Sequence, residues 1–471
     1  MNKKNGVYSI FIIGCFGLLL ILLHTGCANI IPPGGGPRDS LPPVLITATP
    51  RDSSTHFNTN KITLTFNEYV TVDNPQENLI VSPNPTNPPV IESKLRTVTI
   101  RLQDSLKPNT TYALYFGSAL KDVNEGNSDR NFDYIFSTGS QIDENTIKGN
   151  VVLAETGKVD TTLLVVLHKN TADSAVSNEK PDYYTKLDSK GNFTFKYLPK
   201  ETFAIYAVPN SYTKRYADST DLFAFADSLI TAGDSTEMTP ITLYAYQEAK
   251  EKPKTSSSSS SNNKNQKEKP VLRVTSDVGN SGKDILTPLR LTFSEKLRNY
   301  DTAKFYLTDT NYVATPNVTY TIDTSFKIVT LSTKWSENTP YKLVIEKDAV
   351  TDTSGANLSK NDTINFVTKR EADYGSVHLH FNNIDLAKNP VLQLVQNDKV
   401  VDSIPLSSRD WNNKMYTPGE YQIRILYDDN KNGTWDPGHF FDFKRQPEIV
   451  ISVQRSLNIR ANWDNEVDIN L

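Results

Sequence analysis

A run of oxygen-bearing side chains near the C-terminus has the spacing of a calcium-binding loop. Counted from Asp428, such side chains stand at positions one, three, five and nine, and glycine stands at position six. This spacing lets a short loop wrap around one Ca²⁺ ion. The predicted ligands are Asp428, Asn430, Asn432, Asp436 and the backbone carbonyl of Thr434.

Two features of this loop argue for weak binding. Position twelve is His439 and not the glutamate that would give two further oxygens. Two carboxylates and two amides predict a dissociation constant of about 10⁻⁴ to 10⁻³ M. The alternative is an ordinary turn between strands, in which Asn, Asp and Gly are common for conformational reasons. The sequence leaves both interpretations open, so Ca²⁺ is its one candidate cofactor.

Two acidic pairs recur along the chain, Glu68 with Asp122 and Glu295 with Asp352. Paired carboxylates can act as general acid and base. Their recurrence in two otherwise diverged segments favours a structural role at strand ends and in Asx turns. We therefore assign no catalytic residue.

Two other patterns are weaker. His378 and His380 share one face of a predicted strand and could hold a metal, but no third ligand is near them in sequence. Ser118 and Lys121 match S-x-x-K without the helix or the partner motifs that would activate the serine. Phosphate-binding, dinucleotide-binding and G-x-S-x-G patterns are absent from the sequence. These observations do not favour an enzyme.

Composition narrows the class of protein. The 471 residues carry 50 Lys and Arg against 54 Asp and Glu, a net charge of -4. Beyond Cys27 the balance is 48 minus 54, or -6, so nucleic acid is not an expected partner. Many Tyr, Phe and Pro with only 3 Met favour short strands and turns. Both cysteines lie within the first 27 residues, so packing alone must stabilise the later domains.

The N-terminus predicts export. Lys3 and Lys4 precede an apolar run over residues 8–23, and Gly26-Cys27 follows. This arrangement resembles a bacterial lipoprotein lipobox, which implies a signal peptide over residues 1–26 and a lipid on Cys27. Cys15 is a weaker competing site. The alternative is an uncleaved anchor, although 16 mainly apolar residues fall short of the roughly 20 needed to span a bilayer.

Two segments have the composition of spacers. Residues 27–43 are rich in Pro and Gly and predict a tether. Residues 249–269 hold six consecutive serines between lysine-rich flanks, which predicts a disordered linker. We therefore expect the two halves of the chain to move independently.

An internal duplication relates those halves. Leu64-Thr65-Phe66-Asn67-Glu68 recurs as Leu291-Thr292-Phe293-Ser294-Glu295, 227 residues later. Period-two alternation, as at Ile62, Leu64 and Phe66, predicts half-buried strands. We predict an all-β chain of tandem sandwiches in an A-B-linker-A-B order. The predicted A modules cover residues 44–139 and 270–369, and the predicted B modules cover residues 144–248 and 374–471.

The A modules resemble the SbsA-type bacterial Ig-like domain. The matching motifs of the first copy are Pro43-Val44, Phe66-Asn67-Glu68, residues 106–112 (LKPNTTY), residues 122–127 (DVNEGN) and Phe136-Ser137-Thr138. The B modules resemble transthyretin-like or carboxypeptidase-regulatory-like sandwiches through Gly191-x-Phe193-x-Phe195 and Leu198-Pro199. With the lipobox, the whole chain resembles Bacteroidetes Ig-like domain lipoproteins.

This resemblance implies fold and location but no reaction. We expect a non-enzymatic, lipid-anchored cell-envelope protein whose sandwiches act as spacer and interaction modules for an envelope protein or a glycan. The N-terminal lipid would attach the protein to the membrane. The acidic run of the Bacteroidetes surface-export signal is absent after Cys27, so an outer-membrane position facing the periplasm is favoured over surface exposure. The alternative is a carbohydrate-handling or enzyme-associated lipoprotein with a site at a domain junction.

Overall fold

The computed structural model describes residues 39–233, 240–249 and 271–471. The predicted signal peptide, the predicted lipidation site Cys27, most of the predicted tether and nearly all of the predicted linker lie outside these residues. Within them, no helix is long and apolar enough to cross a membrane. The described chain forms two compact units, which divide between Glu144 and Asn145.

The first unit contains the first sandwich, built from nine strands, β1 to β9. Its three sheets have the orders β1-β2-β6-β5, β3-β8 and β4-β7-β9. Ile62, Leu64 and Phe66 are fully buried, which confirms the period-two prediction for β2. A short helix, α1 (Pro75–Asn78), follows β3. The strands are β1 (Leu45–Thr49), β2 (Lys61–Phe66), β3 (Val70–Val72), β4 (Ile80–Ser82), β5 (Val90–Lys94), β6 (Thr97–Arg101), β7 (Thr111–Tyr115), β8 (Leu120–Asp122) and β9 (Asp133–Ser137).

The second sandwich begins the second unit. Its sheets have the orders β13-β10-β17 and β12-β11-β14-β15, with β16 also paired to β14. The apolar run that begins at Leu163 forms the central strand β11, in which every residue is buried. Helix α2 (Ala175–Asn178) follows β11. The strands are β10 (Asn145–Leu153), β11 (Leu163–His168), β12 (Tyr183–Lys186), β13 (Asn192–Leu198), β14 (Thr202–Pro209), β15 (Ala224–Phe225), β16 (Ile230–Thr231) and β17 (Ile241–Ala245).

The third sandwich repeats the strand order of the first. Its sheets are β18-β19-β23-β22, β20-β25 and β21-β24-β26. A single 3₁₀ turn, Thr302–Lys304, precedes β21. The strands are β18 (Val274–Ser276), β19 (Leu289–Phe293), β20 (Leu297–Tyr300), β21 (Phe305–Thr308), β22 (Thr319–Ile322), β23 (Ile328–Ser332), β24 (Pro340–Ile345), β25 (Val350–Asp352) and β26 (Asp362–Val367).

The fourth sandwich repeats the plan of the second. Its sheets are β30-β27-β33 and β29-β28-β31-β32. In both copies the first and last strands pair in parallel, β10 with β17 and β27 with β33. 3₁₀ turns at Glu371–Asp373 and Leu386–Lys388 flank β27. The strands are β27 (Gly375–Asn382), β28 (Pro390–Gln396), β29 (Lys399–Pro405), β30 (Asp410–Tyr416), β31 (Gly419–Tyr427), β32 (Ile449–Ile459) and β33 (Asp464–Asn470).

The expectation that the two halves move independently is wrong. The second sandwich shares a buried aromatic cluster with the fourth, and residues 145–471 form one compact unit. The reason is a loop of the fourth sandwich that packs apolar side chains against the second sandwich. The composition of the linker gives no information about this loop. The division between compact units therefore lies at residue 144 and not in the serine-rich linker.

Candidate functional site

The predicted calcium loop connects β31 to β32 and closes through its own hydrogen bonds. The Asp428 carboxylate accepts hydrogen bonds from the backbone N–H of Asn432 at 3.2 Å and of Gly433 at 2.7 Å. Oδ2 of Asp436 accepts the side-chain amides of Asn430 and Asn432, each at 2.6 Å. Gly433 has a φ of 77°, a conformation that favours glycine over residues with a Cβ. These bonds are those of an Asx turn, and calcium binding to the loop stays a prediction.

Glu448, at the end of this connection, joins the loop to the start of β32. Its carboxylate accepts the backbone N–H groups of Asp429 at 2.9 Å and Asp436 at 3.0 Å. Burial raises the pKa of Glu448, and the nearby Asp428 and Asp436 carboxylates raise it further. Among the described residues, no group of three or more His, Cys, Asp or Glu side chains is arranged to hold a metal ion.

The segment after this turn, residues 435–446, packs against the second sandwich, and we call it the docking loop. The ring of Phe440 lies 5.0 Å from those of Phe223 and Phe225 and 5.6 Å from that of Tyr206, between centroids. All four side chains are buried. Aromatic pairs at such distances stabilise by about 0.5–1.5 kcal/mol beyond their buried area. The two sandwiches thus share one apolar core.

A glycine permits the close approach of the docking loop. A Cβ on Gly438 would lie 2.6 Å from Cζ of the Tyr246 ring. Real Cβ atoms do not tolerate that separation, so any larger residue here would push the loop away from the second sandwich.

Polar contacts surround the rings of this interface. The Gln446 side-chain amide donates to the Phe225 carbonyl at 3.1 Å and to Oδ1 of Asp227 at 2.8 Å. Lys444 pairs with Asp173 at 2.6 Å, and His439 contacts Glu248. The Lys444–Asp173 ion pair is partly exposed, so it contributes at most about 1 kcal/mol and mainly orients the loop.

A backbone contact adds to the interface. The N–H of Val450 donates to the carbonyl of Ala154 at 2.9 Å. A second fixed joint links the third and fourth sandwiches, where the buried Tyr374 hydroxyl donates to Asp284 at 2.6 Å and accepts the N–H of Ile285 at 2.9 Å. Three sandwiches are therefore held by specific contacts.

The aspartate of each acidic pair accepts hydrogen bonds within a turn. Asp122 is buried and accepts the backbone N–H groups of Glu125, Gly126 and Asn127 at 2.5 to 3.0 Å. Burial would raise the pKa of Asp122, but these hydrogen bonds outweigh it and hold the pKa below its ordinary value. Asp352 occupies the same turn in the third sandwich and accepts the N–H groups of Ser354 and Ala356. Both aspartates carry structural hydrogen bonds, as the recurrence predicted.

Asp410 of β30 lies beside both candidate histidines. Oδ1 of Asp410 lies 2.7 Å from Nδ1 of His380 and 3.4 Å from Nε2 of His378. The three side chains are about half exposed on the outer face of the sheet. The sequence near the two histidines offers no third ligand, and the structure places Asp410 beside them from a separate strand. In the S-x-x-K pattern, Lys121 lies in β8 and its ammonium group pairs with Asp73 at 2.9 Å.

Sequence reasoning missed the docking loop. The signal was present as His439-Phe440-Phe441-Asp442-Phe443, an aromatic run directly after the predicted calcium loop. Aromatic runs of this kind are uncommon in polar loops and indicate a contact surface. Its counterpart in the second sandwich, Pro209-Asn210-Ser211-Tyr212, has no such run.

Comparison with known proteins supports the assignment of the A modules. Residues 39–138 and 266–368 match the family model described as the Bacterial Ig-like domain. They coincide with the first and third sandwiches. The chain thus contains two segments similar to this domain. No curated protein matches the chain.

Three solved structures illustrate distant similarity to this chain. The major pilin subunit BcpA of Bacillus cereus is 11% identical with a TM-score of 0.16, over 70% of this chain and 99% of the pilin chain. The TIE protein of Bacillus anthracis is 11% identical with a TM-score of 0.18, over 93% and 75%. The S-layer protein rSbsC is 11% identical with a TM-score of 0.15, over 91% and 54%. These scores imply nothing about what this chain binds.

Proposed function

We propose that this chain is a non-enzymatic, lipid-anchored protein of the bacterial cell envelope. Its sandwiches act as a spacer and as interaction modules for another envelope protein or a glycan. The observation that carries the proposal is the buried interface between the second and fourth sandwiches. Aromatic rings that could have lined a ligand site are instead packed against each other, which suits a chain whose task is to hold modules at fixed positions.

The proposed location of the protein rests on its N-terminal sequence. The lipobox at Gly26-Cys27 supports a lipid on Cys27, and the bacterial Ig-like segments are consistent with an envelope protein. Several acyl chains on one cysteine anchor a protein firmly, because each buried methylene contributes about 0.8 kcal/mol. We place the chain on the outer membrane, facing the periplasm.

Metabolic labelling tests the anchor. The full chain is expressed in a Gram-negative host with an alkyne analogue of palmitate, beside Cys27→Ala and Cys15→Ala variants. We expect label and membrane fractionation in the parent and in Cys15→Ala, and loss of the label in Cys27→Ala. Label that persists in Cys27→Ala would contradict the assignment of the lipid to this residue.

One observation favours the alternative, a carbohydrate-handling lipoprotein. Tyr306 and Tyr312 of the third sandwich are 43% and 67% exposed beside a groove that Tyr320 also lines. The Tyr306 hydroxyl donates to Oε1 of Glu346 at 3.0 Å. Aromatic faces beside hydrogen-bonding groups suit the stacking of sugar rings.

Sugar binding can be tested directly. Affinity electrophoresis of the full chain through soluble envelope polysaccharide should show retardation that a Tyr306→Ala/Tyr312→Ala variant loses. Equal mobility of both proteins with and without polysaccharide would remove the alternative. The spacer proposal predicts this equal mobility.

A further inference from the structure

One end of the first sandwich exposes a cluster of large apolar side chains. Tyr69, Leu95 and Val123 are 50%, 65% and 57% exposed. The backbone joins them, because Val123 N–H donates to the Tyr69 carbonyl at 3.0 Å and Val70 N–H donates to the Leu95 carbonyl at 2.9 Å. Three such residues side by side form a patch, whereas single exposed apolar residues are ordinary.

The fold does not require these side chains. The third sandwich makes the same two backbone contacts, from Thr353 N–H to the Lys296 carbonyl and from Leu297 N–H to the Phe326 carbonyl. Two of the three apolar positions are therefore polar there, with Lys296 for Tyr69 and Thr353 for Val123. The complete patch belongs to the first sandwich alone among the two similar modules.

Leu95 stands at a position that disfavours it. Its φ is 54°, in the left-handed region that Gly and Asn adopt more readily than leucine. Phe326 holds the same conformation at the equivalent turn of the third sandwich, with a φ of 57°, so this backbone conformation belongs to the turn that the two modules share.

The chain enters the first sandwich at this same end. The Asn127 side-chain amide donates to the carbonyl of Asp39 at 3.1 Å. Val44 N–H donates to Oδ1 of Asn67 at 2.7 Å. Leu41 and Val44 on this entering segment are 69% and 60% exposed. The apolar patch therefore continues along the first described residues.

Chain length limits the distance of this end from a membrane. Twelve residues, 28–39, separate Cys27 from the described part of the chain, counting Asp39. At most about 3.3–3.6 Å per residue, they span no more than about 43 Å whatever their conformation. A lipid on Cys27 would thus hold this end of the sandwich within about 43 Å of the bilayer and allow it to reach the lipid surface.

We propose that the apolar end of the first sandwich, formed by Leu41, Val44, Tyr69, Leu95 and Val123, rests on the lipid surface in which Cys27 is anchored. The inference relies on the proposed lipidation of that cysteine. Leucine and valine side chains insert among acyl chains, and tyrosine suits the interface because its ring is apolar and its hydroxyl is polar. The contact would set the orientation of the first sandwich on the membrane.

The charges near this end indicate a mainly apolar contact. The Arg96 guanidinium lies 5.7 Å from the centre of the Tyr69 ring. Glu68 lies in the same region, and Asp39, Asp122 and Glu125 act on it electrostatically. Because several carboxylates accompany the basic side chains here, attraction to anionic lipid would be weak. We therefore choose neutral phosphatidylcholine vesicles as the probe surface.

Site-specific fluorescence tests the contact in the full lipidated chain. After removal of the signal peptide and acylation of Cys27, a cysteine introduced at Leu95 would be the only free thiol. It is labelled with the environment-sensitive dye NBD, and the protein is reconstituted in phosphatidylcholine vesicles with or without brominated lipid. The matched control is Phe326→Cys, which stands at the same turn of the third sandwich and is 53% exposed with a φ of 57°.

We expect the label at 95 to shift to the blue and to lose at least half of its emission in brominated vesicles. The label at 326 should change by less than a tenth. A second arm carries the label at Leu41→Cys, with and without Tyr69→Lys and Val123→Thr, the residues of the third sandwich. These substitutions should weaken the quenching at least twofold while circular dichroism shows an unchanged fold.

The outcomes separate the two proposals. Vesicle flotation without quenching at 95, or equal quenching at 95 and 326, would overturn the membrane contact and leave the anchor intact. A blue shift without bromolipid quenching would indicate a second copy of the chain and also overturn it. A chain that carries no lipid and does not float would contradict the anchor itself and remove the basis of the contact.

Discussion

His168 makes the second sandwich sensitive to acid. This residue ends β11, is 1% exposed, and neither of its ring nitrogens has a hydrogen-bond partner. Burial lowers the pKa of His168 from its ordinary value, while the nearby Asp182 and Glu179 oppose the shift and Arg215 adds to it. The folded state therefore binds this proton less readily than the unfolded state.

We expect the stability of the chain to fall as the pH drops through about 6.5, the value at which an unfolded histidine is half protonated, and further below it. His168→Leu should remove this component, so that its melting temperature changes less between pH 7 and pH 5 than that of the parent. His378→Gln is the control, because the His378 side chain is 44% exposed. Parallel melting curves for the parent and His168→Leu would contradict the assignment.

Calcium binding is a second prediction at the residue scale. Asp428 and Asp436 offer two carboxylates, which favours a weak site with a dissociation constant of about 10⁻⁴ to 10⁻³ M. Titration calorimetry of the full chain should show heat at millimolar CaCl₂, together with a higher melting temperature that EDTA reverses. Asp428→Asn keeps the size of the side chain and should lose both effects. No heat up to millimolar calcium would leave the loop as an Asx turn alone.

Residue types predicted local turns better than they predicted contacts between residues far apart in sequence. The turns of Asp122 and Asp352 could be inferred because their hydrogen bonds reach only two to five residues along the chain. The position of Asp410 beside His380 could not be inferred, because it depends on the pairing of two strands 30 residues apart. Contacts between residues a few positions apart can be predicted from the sequence, whereas the register between distant strands cannot.

At the scale of elements, period-two patterns predicted strands well. The alternation in β2 and the apolar run of β11 match buried positions in the structure. The docking loop has no period, so the burial of Phe440 could not be predicted from pattern. Phe440 packs against Tyr206, Phe223 and Phe225. The sequence pattern is the same for residues of a sandwich's own core, so it does not show that these rings contact another sandwich.

Phe440→Ala should detach the fourth sandwich from the second. Loss of a fully buried phenylalanine costs about 3–5 kcal/mol, more than the partly exposed ion pairs around it can offset. Hydrogen exchange should therefore speed up in residues 223–225 and 438–446 of the variant. Phe443→Ala is the matched control, because Phe443 belongs to the same loop and is 60% exposed. Equal exchange in the two variants would show that Phe440 does not hold the interface.

Gly438→Ala tests the same interface from the opposite direction. The added methyl group would meet the Tyr246 ring at 2.6 Å, and such overpacking costs about 1–3 kcal/mol. We expect a smaller increase of exchange in the same peptides than Phe440→Ala gives. Alanine at the exposed Gly355, which has open space around its Cβ position but a φ of 85°, separates backbone strain from the clash. A larger effect at Gly355 than at Gly438 on the exchange of residues 438–446 would contradict the packing argument.

At the scale of the whole chain, the duplication was predictable and the docking was not. The recurring Leu-Thr-Phe-x-Glu motif indicated two copies of one plan, and the first and third sandwiches share one strand order. The serine-rich segment indicated independent halves because its composition cannot form a core. Composition describes the linker itself, however, and not the surfaces on either side of it. The aromatic interface between the second and fourth sandwiches and the Tyr374 hydrogen bonds between the third and fourth join all three, and residues 145–471 form one compact unit.

Double electron–electron resonance spectroscopy tests most directly whether the second, third and fourth sandwiches form one rigid unit. Spin labels are placed on the exposed Lys190→Cys of the second sandwich and Lys360→Cys of the third. They are measured in the full chain and in a form that lacks residues 256–261, the six serines. We predict one narrow distance distribution that the deletion leaves in place, since the docking loop and not the linker sets the spacing. A broad distribution that shortens when the serines are removed would show that the halves are joined by the linker alone.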